Sequence, residues 1–150
     1  MQENKKTRKQ LVLFFCFFVF LLFHPQVALA DYYFNHHYII TDEEMTDYLS
    51  LSLNQIQKFL EEKDSALANY ILSDYNGINK KISEIIWQAA MESKISPKVL
   101  LATLQKEQSL IEDPFPSQKQ LDRAMGYRCP DDGMCNASTL HFGKQVDGAA

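Results

Sequence analysis

Glu107 is the residue whose position in the sequence most clearly suggests chemistry. At about 100° per residue, a helix over residues 99–111 places Leu100 and Ile111 on one apolar face. Leu104 lies on the same face, and Glu107 falls in its middle. Burying an ionised carboxylate is costly, so such a group pairs with a cation or keeps its proton. A carboxyl that stays protonated near neutral pH can act as general acid in the cleavage of a glycosidic bond.

A structural ion pair is the other interpretation of the same position. Arg123 and Arg128 are available to neutralise Glu107, and structural ion pairs also perturb pKa values. Helical spacing alone favours this structural interpretation over a catalytic one.

The first 30 residues have the pattern of a secretory signal peptide. Residues 1–10 are polar and basic, and they are followed by an uninterrupted apolar run of 13 residues over 11–23. Ala28 and Ala30 are small residues at the two positions that a signal peptidase reads. A spanning helix needs about 20 apolar residues, so we expect cleavage before Asp31 and a secreted or cell-surface protein. The alternative is an uncleaved N-terminal membrane anchor, which would be the chain's contact with a membrane.

Cys129 and Cys135 are the two cysteines that follow the signal segment, with five residues between them. In an oxidising compartment such a pair is most simply a disulfide that closes a small loop. The alternative is a metal site that His141 completes, but two thiolates at this spacing and one histidine form a weak zinc pattern. The sequence therefore predicts a disulfide and no metal site.

The distribution of charge argues against nucleic acid as a partner. The chain carries 15 basic and 19 acidic side chains, a net charge of −4. Four of the basic and one of the acidic side chains lie in residues 1–30. The remaining residues therefore carry 11 basic and 18 acidic side chains, a net charge of −7. Phosphate binding needs clustered Lys and Arg, and this acidic body has no such stripe.

Beyond residue 30 the chain is predicted to be all-α. Thr41 with Glu44, and Ser52 with Gln55, are capping-box pairs that each mark the start of a helix. These two helices form an N-terminal helical segment over residues 31–76.

Two further helices carry the strongest periodicity. One runs from residue 78 or 80 to residue 94, and the next begins at Ser96-Pro97 and continues to about residue 111. A turn is predicted at 73–77. Residues 112–148 are rich in Pro, Gly, Asp and Ser and are predicted to be mostly loop, with a short helical stretch near 121–125.

The stretch ISPKVLLATLQKEQSLIED, residues 95–113, resembles the catalytic-glutamate helix of the lysozyme-like superfamily. It is similar to the soluble lytic transglycosylase-like domains of exported bacterial cell-wall enzymes, in which a P-x-x-L-L-A-x-x-x-x-E segment ends with the single catalytic acid. Here that segment ends at Glu107. AMGYRCPDDGMC at 124–135 and FGKQV at 142–146 resemble segments that line the glycan groove of one exported subgroup.

The resemblance implies a lysozyme-like helical domain over residues 77–150 and an enzyme that acts on peptidoglycan glycan strands. The bond cut would be the β-1,4 bond between N-acetylmuramic acid and N-acetylglucosamine, with Glu107 as general acid and base. This reaction implies no metal or organic cofactor. A transglycosylase needs this carboxylate alone, whereas a muramidase-like hydrolase needs a second. Asp122, Asp131 and Asp132 are the candidates for that second carboxylate.

The same resemblance assigns substrate-binding roles to five residues. Tyr127 and Phe142 would stack on sugar rings, and Gln108 or Gln145 would bind acetamido groups. The alternative for each of these residues is simple packing or a surface position. Gly126 belongs to the segment that lines the groove.

A lysozyme-like domain continues for several helices beyond the point where this chain ends, so the sequence suggests an incomplete domain. The rival hypothesis is therefore a non-catalytic exported module that binds the cell wall or another surface. An enzyme is the favoured interpretation of the two.

Overall fold

The computed structural model describes residues 38–131 and 133–150. The predicted signal peptide, its cleavage site before Asp31, and the candidate carboxylate Asp132 lie outside the described residues. Among the described residues, no helix combines the length and apolarity needed to cross a membrane.

The described chain is mainly α-helical, which confirms the predicted class at that level. The α-helices are α1 (Asp42–Thr46), α2 (Leu53–Glu62), α3 (Ile82–Ser93), α4 (Pro97–Gln108), α5 (Gln118–Asp122) and α6 (Phe142–Ala149). Two 3-10 turns cover Ala66–Asn69 and Ala137–Thr139, and the strands β1 (Ile71–Ser73) and β2 (Asn79–Lys81) form an antiparallel hairpin.

Local capping starts the first two helices where the sequence predicts. The Thr41 hydroxyl accepts a hydrogen bond from the Glu44 N–H at 2.9 Å, and the Glu44 carboxylate accepts the Thr41 N–H at 3.0 Å. Ser52 and Gln55 form the same reciprocal pair. Each box satisfies N–H groups that a helix start otherwise leaves unpaired.

A single hydrophobic core joins α2, α3, α4 and α6. The apolar face predicted for α3 is buried, and α2 packs on it through Ile56 and Leu60. Full burial of a Leu or Ile side chain contributes about 1.5–3 kcal/mol relative to exposure. The largest core side chains are fully buried, and they are Phe142, Ile56, Leu60, Leu67, Ile82, Ile86, Leu100, Leu104, Leu110 and Val146.

The hairpin was not predicted, because strands of three residues are too short to show alternation. Its turn is organised by Asp74, whose Oδ1 accepts the N–H groups of Asn76 and Ile78, both at 2.9 Å. Oδ2 lies 2.8 Å from Lys80 Nζ, and the Asp74 side chain is only 2% exposed. Gly77 completes the turn with a φ of +82°. The predicted turn at 73–77 is therefore confirmed as the hairpin loop.

Helix α6 lies in the segment that the sequence predicted as loop, so that prediction was wrong for Phe142–Ala149. The segment reads as a loop because it contains two glycines, but these serve packing. A Cβ on Gly143 would lie 2.4 Å from the Ser73 carbonyl oxygen, so only glycine lets α6 approach the hairpin this closely.

Candidate active site

Glu107 lies in the last turn of α4, at the edge of the hydrophobic core. Leu100 and Leu104, on the same face of the helix, are buried, whereas the Glu107 side chain is 31% exposed. The expectation that the Glu107 carboxyl is fully buried was therefore wrong. The helix ends at Gln108 because Ser109 adopts a left-handed φ of +57°, so Ile111 is not on the helix and does not cover Glu107.

Lys106 is the cation that pairs with Glu107 in the described part of the chain. Its Nζ lies 2.9 Å from Glu107 Oε1, so the partner is neither Arg123 nor Arg128. The hydrogen bond to Glu107, and then the negative charge of Glu107, raise the pKa of Lys106. Lys106 is 82% exposed, so the pair lies at the surface, where ion pairs are weak.

The second carboxylate oxygen of Glu107 faces the backbone of Gly126. Gly126 has a φ of +69°, and a Cβ added there would lie 3.0 Å from Glu107 Oε2. A side chain at position 126 would therefore be strained by its backbone and would press on the carboxylate. Glycine at this position leaves room for Glu107.

The segment that carries Gly126 is held on both sides. The Gly126 N–H donates to the Arg123 carbonyl at 2.9 Å, and the Gly126 carbonyl accepts the Cys129 N–H at 3.1 Å. Cys129 and Cys135 form a disulfide, which confirms the predicted bridge. Thiols that are bonded to each other are not available as metal ligands, so the zinc alternative with His141 is wrong.

Gln145 is fully buried, and its amide makes four hydrogen bonds. Oε1 accepts the N–H of Tyr127 at 3.0 Å and the N–H of Met125 at 3.4 Å. Nε2 donates to the carbonyls of Tyr127 at 2.9 Å and Thr139 at 2.8 Å. An amide has two donors and two acceptor lone pairs, so none is left for a ligand. The prediction that Gln145 binds an acetamido group is therefore wrong.

The two aromatic residues predicted to stack on sugars differ in their surroundings. Phe142 is 2% exposed and belongs to the core, so its predicted stacking role is wrong. Tyr127 is half-buried, and its ring packs against Gly148, where an added Cβ would lie 2.3 Å from the ring. Arg128 lies over the ring, with its guanidinium carbon 5.4 Å from the centroid.

Gln108 is half-buried directly after Glu107, and its carbonyl accepts the Gln120 amide at 3.2 Å. This bond attaches α5 to the end of α4. Sequence reasoning missed Gln120, although the capping box that it forms with Ser117 is a signal that predicts the start of α5.

The described candidates for a second carboxylate are Asp122 and Asp131. Asp122 Oδ1 accepts the Gln118 amide at 2.9 Å and lies 3.6 Å from His141 Nδ1. Asp131 is exposed.

His141 and Gln118 line a cleft of about 330 Å³ between the hairpin and α6. Glu107 lines neither this cleft nor the larger one, of about 520 Å³, beside Phe59 and Leu101.

These features define a small helical domain with a partly exposed glutamate in the last turn of α4 and a disulfide-closed loop that follows the glycine facing it. Residues 38–147 match the family described as the N-terminal domain of LasA, and the chain belongs to that family. No curated protein matches the chain, and no solved structure does either.

The family match spans both α4 and the disulfide loop. LasA is an exported protein, so membership agrees with the export that the N-terminal residues predict and with a cell-wall-related protein.

Proposed function

We propose that this protein cleaves the glycan strands of peptidoglycan, at the β-1,4 bond between N-acetylmuramic acid and N-acetylglucosamine. The observation that carries the proposal is the setting of Glu107: its carboxylate is one-third exposed, and Oε2 faces the bare Cα of Gly126. Membership in the LasA N-terminal domain family supports a lytic role in general terms. The lysozyme-like resemblance of residues 95–113 supports the specific bond.

Glu107 supplies both proton transfers in this reaction. When protonated, it donates to the bridging oxygen as the glycosidic C–O bond breaks and positive charge develops at the anomeric carbon. The carboxylate then accepts the proton of the sugar's own hydroxymethyl group, whose oxygen bonds to the anomeric carbon. This step closes an anhydro ring and restores the acid. The exposed ammonium of Lys106 stabilises the carboxylate that exists between the two transfers.

The one-carboxylate route is favoured by the state of Asp122. Its Oδ1 is engaged by Gln118 and lies next to His141, so it is less available to activate a water molecule. Asp122 is therefore disfavoured as a second catalytic carboxylate, and we prefer a lytic transglycosylase, which needs Glu107 alone, over a muramidase-like hydrolase.

The decisive experiment is mass analysis of the products released from purified peptidoglycan. Anhydro-muropeptides support the transglycosylase, and products with reducing ends support a hydrolase. Glu107→Gln should lower the release by at least about 100-fold, since general acid–base groups contribute about 10²–10⁴-fold.

Glu62→Gln is the matched control for Glu107→Gln. Glu62 lies on α2, its side chain is 64% exposed, and it pairs with Lys58 at 3.4 Å, so this variant should cleave at the wild-type rate. Equal release by the Glu107→Gln and Glu62→Gln variants would show that Glu107 is not the acid.

A non-catalytic cell-wall module is the second candidate, because Glu107 lines neither the cleft between the hairpin and α6 nor the cleft beside Phe59 and Leu101. This function predicts that the chain sediments with insoluble peptidoglycan and releases nothing. Binding that Glu107→Gln leaves unchanged, without products, would favour it over the enzyme.

A further inference from the structure

Gln145 connects helix α6 to the segment that faces Glu107. Its side chain is fully buried and bonds to both the N–H and the carbonyl of Tyr127. It also accepts the N–H of Met125. The residue between these two is Gly126, so one buried amide holds the backbone on either side of the glycine.

Gly126 transmits this restraint to the carboxylate. The position that a Cβ would occupy at Gly126 lies 3.0 Å from Glu107 Oε2, so the carboxylate stands where a side chain at position 126 would press on it. A displacement of the backbone at Gly126 therefore changes the space available to Oε2 directly. The other oxygen, Oε1, is held by an exposed lysine, which is a weaker restraint than a buried backbone segment.

We propose that Gln145 is a positioning residue for Glu107: its hydrogen bonds to Met125, Tyr127 and Thr139 fix Gly126 against the carboxylate and so set the orientation of the acid. This inference deepens the proposed function and rests on it for its catalytic consequence. The geometric part, that Gln145 controls the surroundings of the Glu107 carboxylate, is testable without any substrate.

An amide is the side chain that suits this position. Two N–H groups and two carbonyls converge on it, and they need two acceptor lone pairs and two donors from one buried group. A carboxylate offers no donor, and a thioether offers neither function at useful strength. Each buried polar group left without a partner costs about 1–3 kcal/mol, so the network is satisfied by Gln and not by its isosteres.

The first test is spectroscopic and uses the full chain labelled with ¹³C. The side-chain carboxyl resonance of Glu107 is assigned by its absence from the Glu107→Gln spectrum. Gln145→Met should move this resonance, because Gly126 is released. Gln145→Asn, which keeps the amide but shortens the side chain by one methylene, is the second variant. If Gln145→Met fails to fold, the position of the Glu107 resonance in Gln145→Asn is the test.

Gln57→Met is the matched control. The Gln57 amide also joins separate parts of the fold, since it donates to the Ala68 carbonyl at 3.0 Å and accepts the Ser83 hydroxyl at 2.7 Å. It does not contact residues 125–127. Gln57→Met should lower the melting temperature without moving the Glu107 resonance.

The second test is kinetic. In Gln145→Asn we expect kcat on peptidoglycan to fall by about tenfold or more while KM changes little, because small misplacements of a reacting group are costly. Gly126→Ala, which presses on Oε2 and strains the backbone between Met125 and Tyr127, should reproduce both the moved resonance and the lower kcat.

The outcomes separate the two proposals. Cleavage at wild-type kcat with an unmoved Glu107 resonance in Gln145→Asn would overturn the positioning role and leave the proposed function intact. If the wild-type chain cleaves nothing, a moved resonance still supports the positioning of Glu107 by Gln145 while the proposed function fails. An unmoved resonance in that case overturns the positioning as well.

Discussion

Asp74 and Glu107 are two carboxylates that each lie beside a lysine, at 2.8 Å and 2.9 Å, but in opposite surroundings. Asp74 is buried in the hairpin turn, and two backbone N–H groups occupy its other oxygen. Glu107 is one-third exposed, and its other oxygen faces the Cα of Gly126.

The difference in burial and hydrogen bonding separates a carboxylate that stabilises the fold from one that is available for reaction. Two backbone N–H groups donate to Oδ1 of Asp74 and the Lys80 ammonium lies beside Oδ2. The interaction with Lys80, and then the hydrogen bond from the Ile78 N–H, lower the pKa of Asp74. Glu107 keeps one oxygen that faces no donor among the described residues. Asp74 is therefore expected to matter for stability and Glu107 for activity.

Unfolding measurements on Asp74→Asn and Glu107→Gln should give the largest contrast. Asp74→Asn removes the charge that pairs with Lys80 inside the fold, so its melting temperature should fall clearly at neutral pH. Glu107→Gln should melt like the wild type. Because the folded pKa of Asp74 is lowered, its contribution is present above the ordinary value of 3.8 and is lost as the pH falls through the folded pKa.

Circular dichroism melts over a pH series test this contrast. The deficit of Asp74→Asn should shrink in acid. A deficit as large in Glu107→Gln as in Asp74→Asn would remove the distinction between a structural and a reactive carboxylate.

The two carboxylates also differ in how the loop next to them is closed. Hydrogen bonds from Asp74 close the hairpin turn, whereas a disulfide closes the loop that follows Gly126. Replacing both Cys129 and Cys135 by Ser should lower the free energy of unfolding by about 2 kcal/mol on the chain-entropy model for so short a loop. Urea unfolding measures the change, and an unchanged midpoint would contradict it.

Asp147 is a third carboxylate to compare with Asp74 and Glu107, and its replacement is expected to have the smallest effect on stability. It is half-buried on α6, and its pKa is raised first by burial and then by the negative charges of Glu92 and Asp74. A raised folded pKa means that stability is lost as the pH rises above 3.8. Asp147→Asn should therefore melt slightly higher than the wild type near about pH 7.

A pH series of melting temperatures checks this expectation. The gain should vanish in acid, where Asp147 is protonated in the folded and unfolded states alike. A gain that persists there would mean that charge is not its cause.

Local signals predicted the helix starts well. The capping boxes at Thr41 and Ser52, and the Ser96-Pro97 start of α4, involve residues within one turn of each other, so the sequence contains the whole interaction. The predicted disulfide is similar, because Cys129 and Cys135 are close along the chain.

Tertiary contacts decided what the sequence did not predict. The end of α4 at Gln108 depends on a left-handed serine, for which the sequence gives no strong signal, and this end changes the burial of Glu107. Gly143 suggests a loop in the sequence, but in the structure it is the residue at which α6 contacts the backbone of the hairpin. The polarity of Gln145 suggested a ligand contact, but its partners are backbone groups up to 20 residues away.

Lys106 and Glu107 are consecutive residues on a helix surface, with side chains 82% and 31% exposed. Dissolved ions reach such a contact and screen it, with a Debye length of about 8 Å at physiological ionic strength. In an exported protein, the salinity of the surrounding medium therefore acts directly on how tightly the lysine holds this carboxylate.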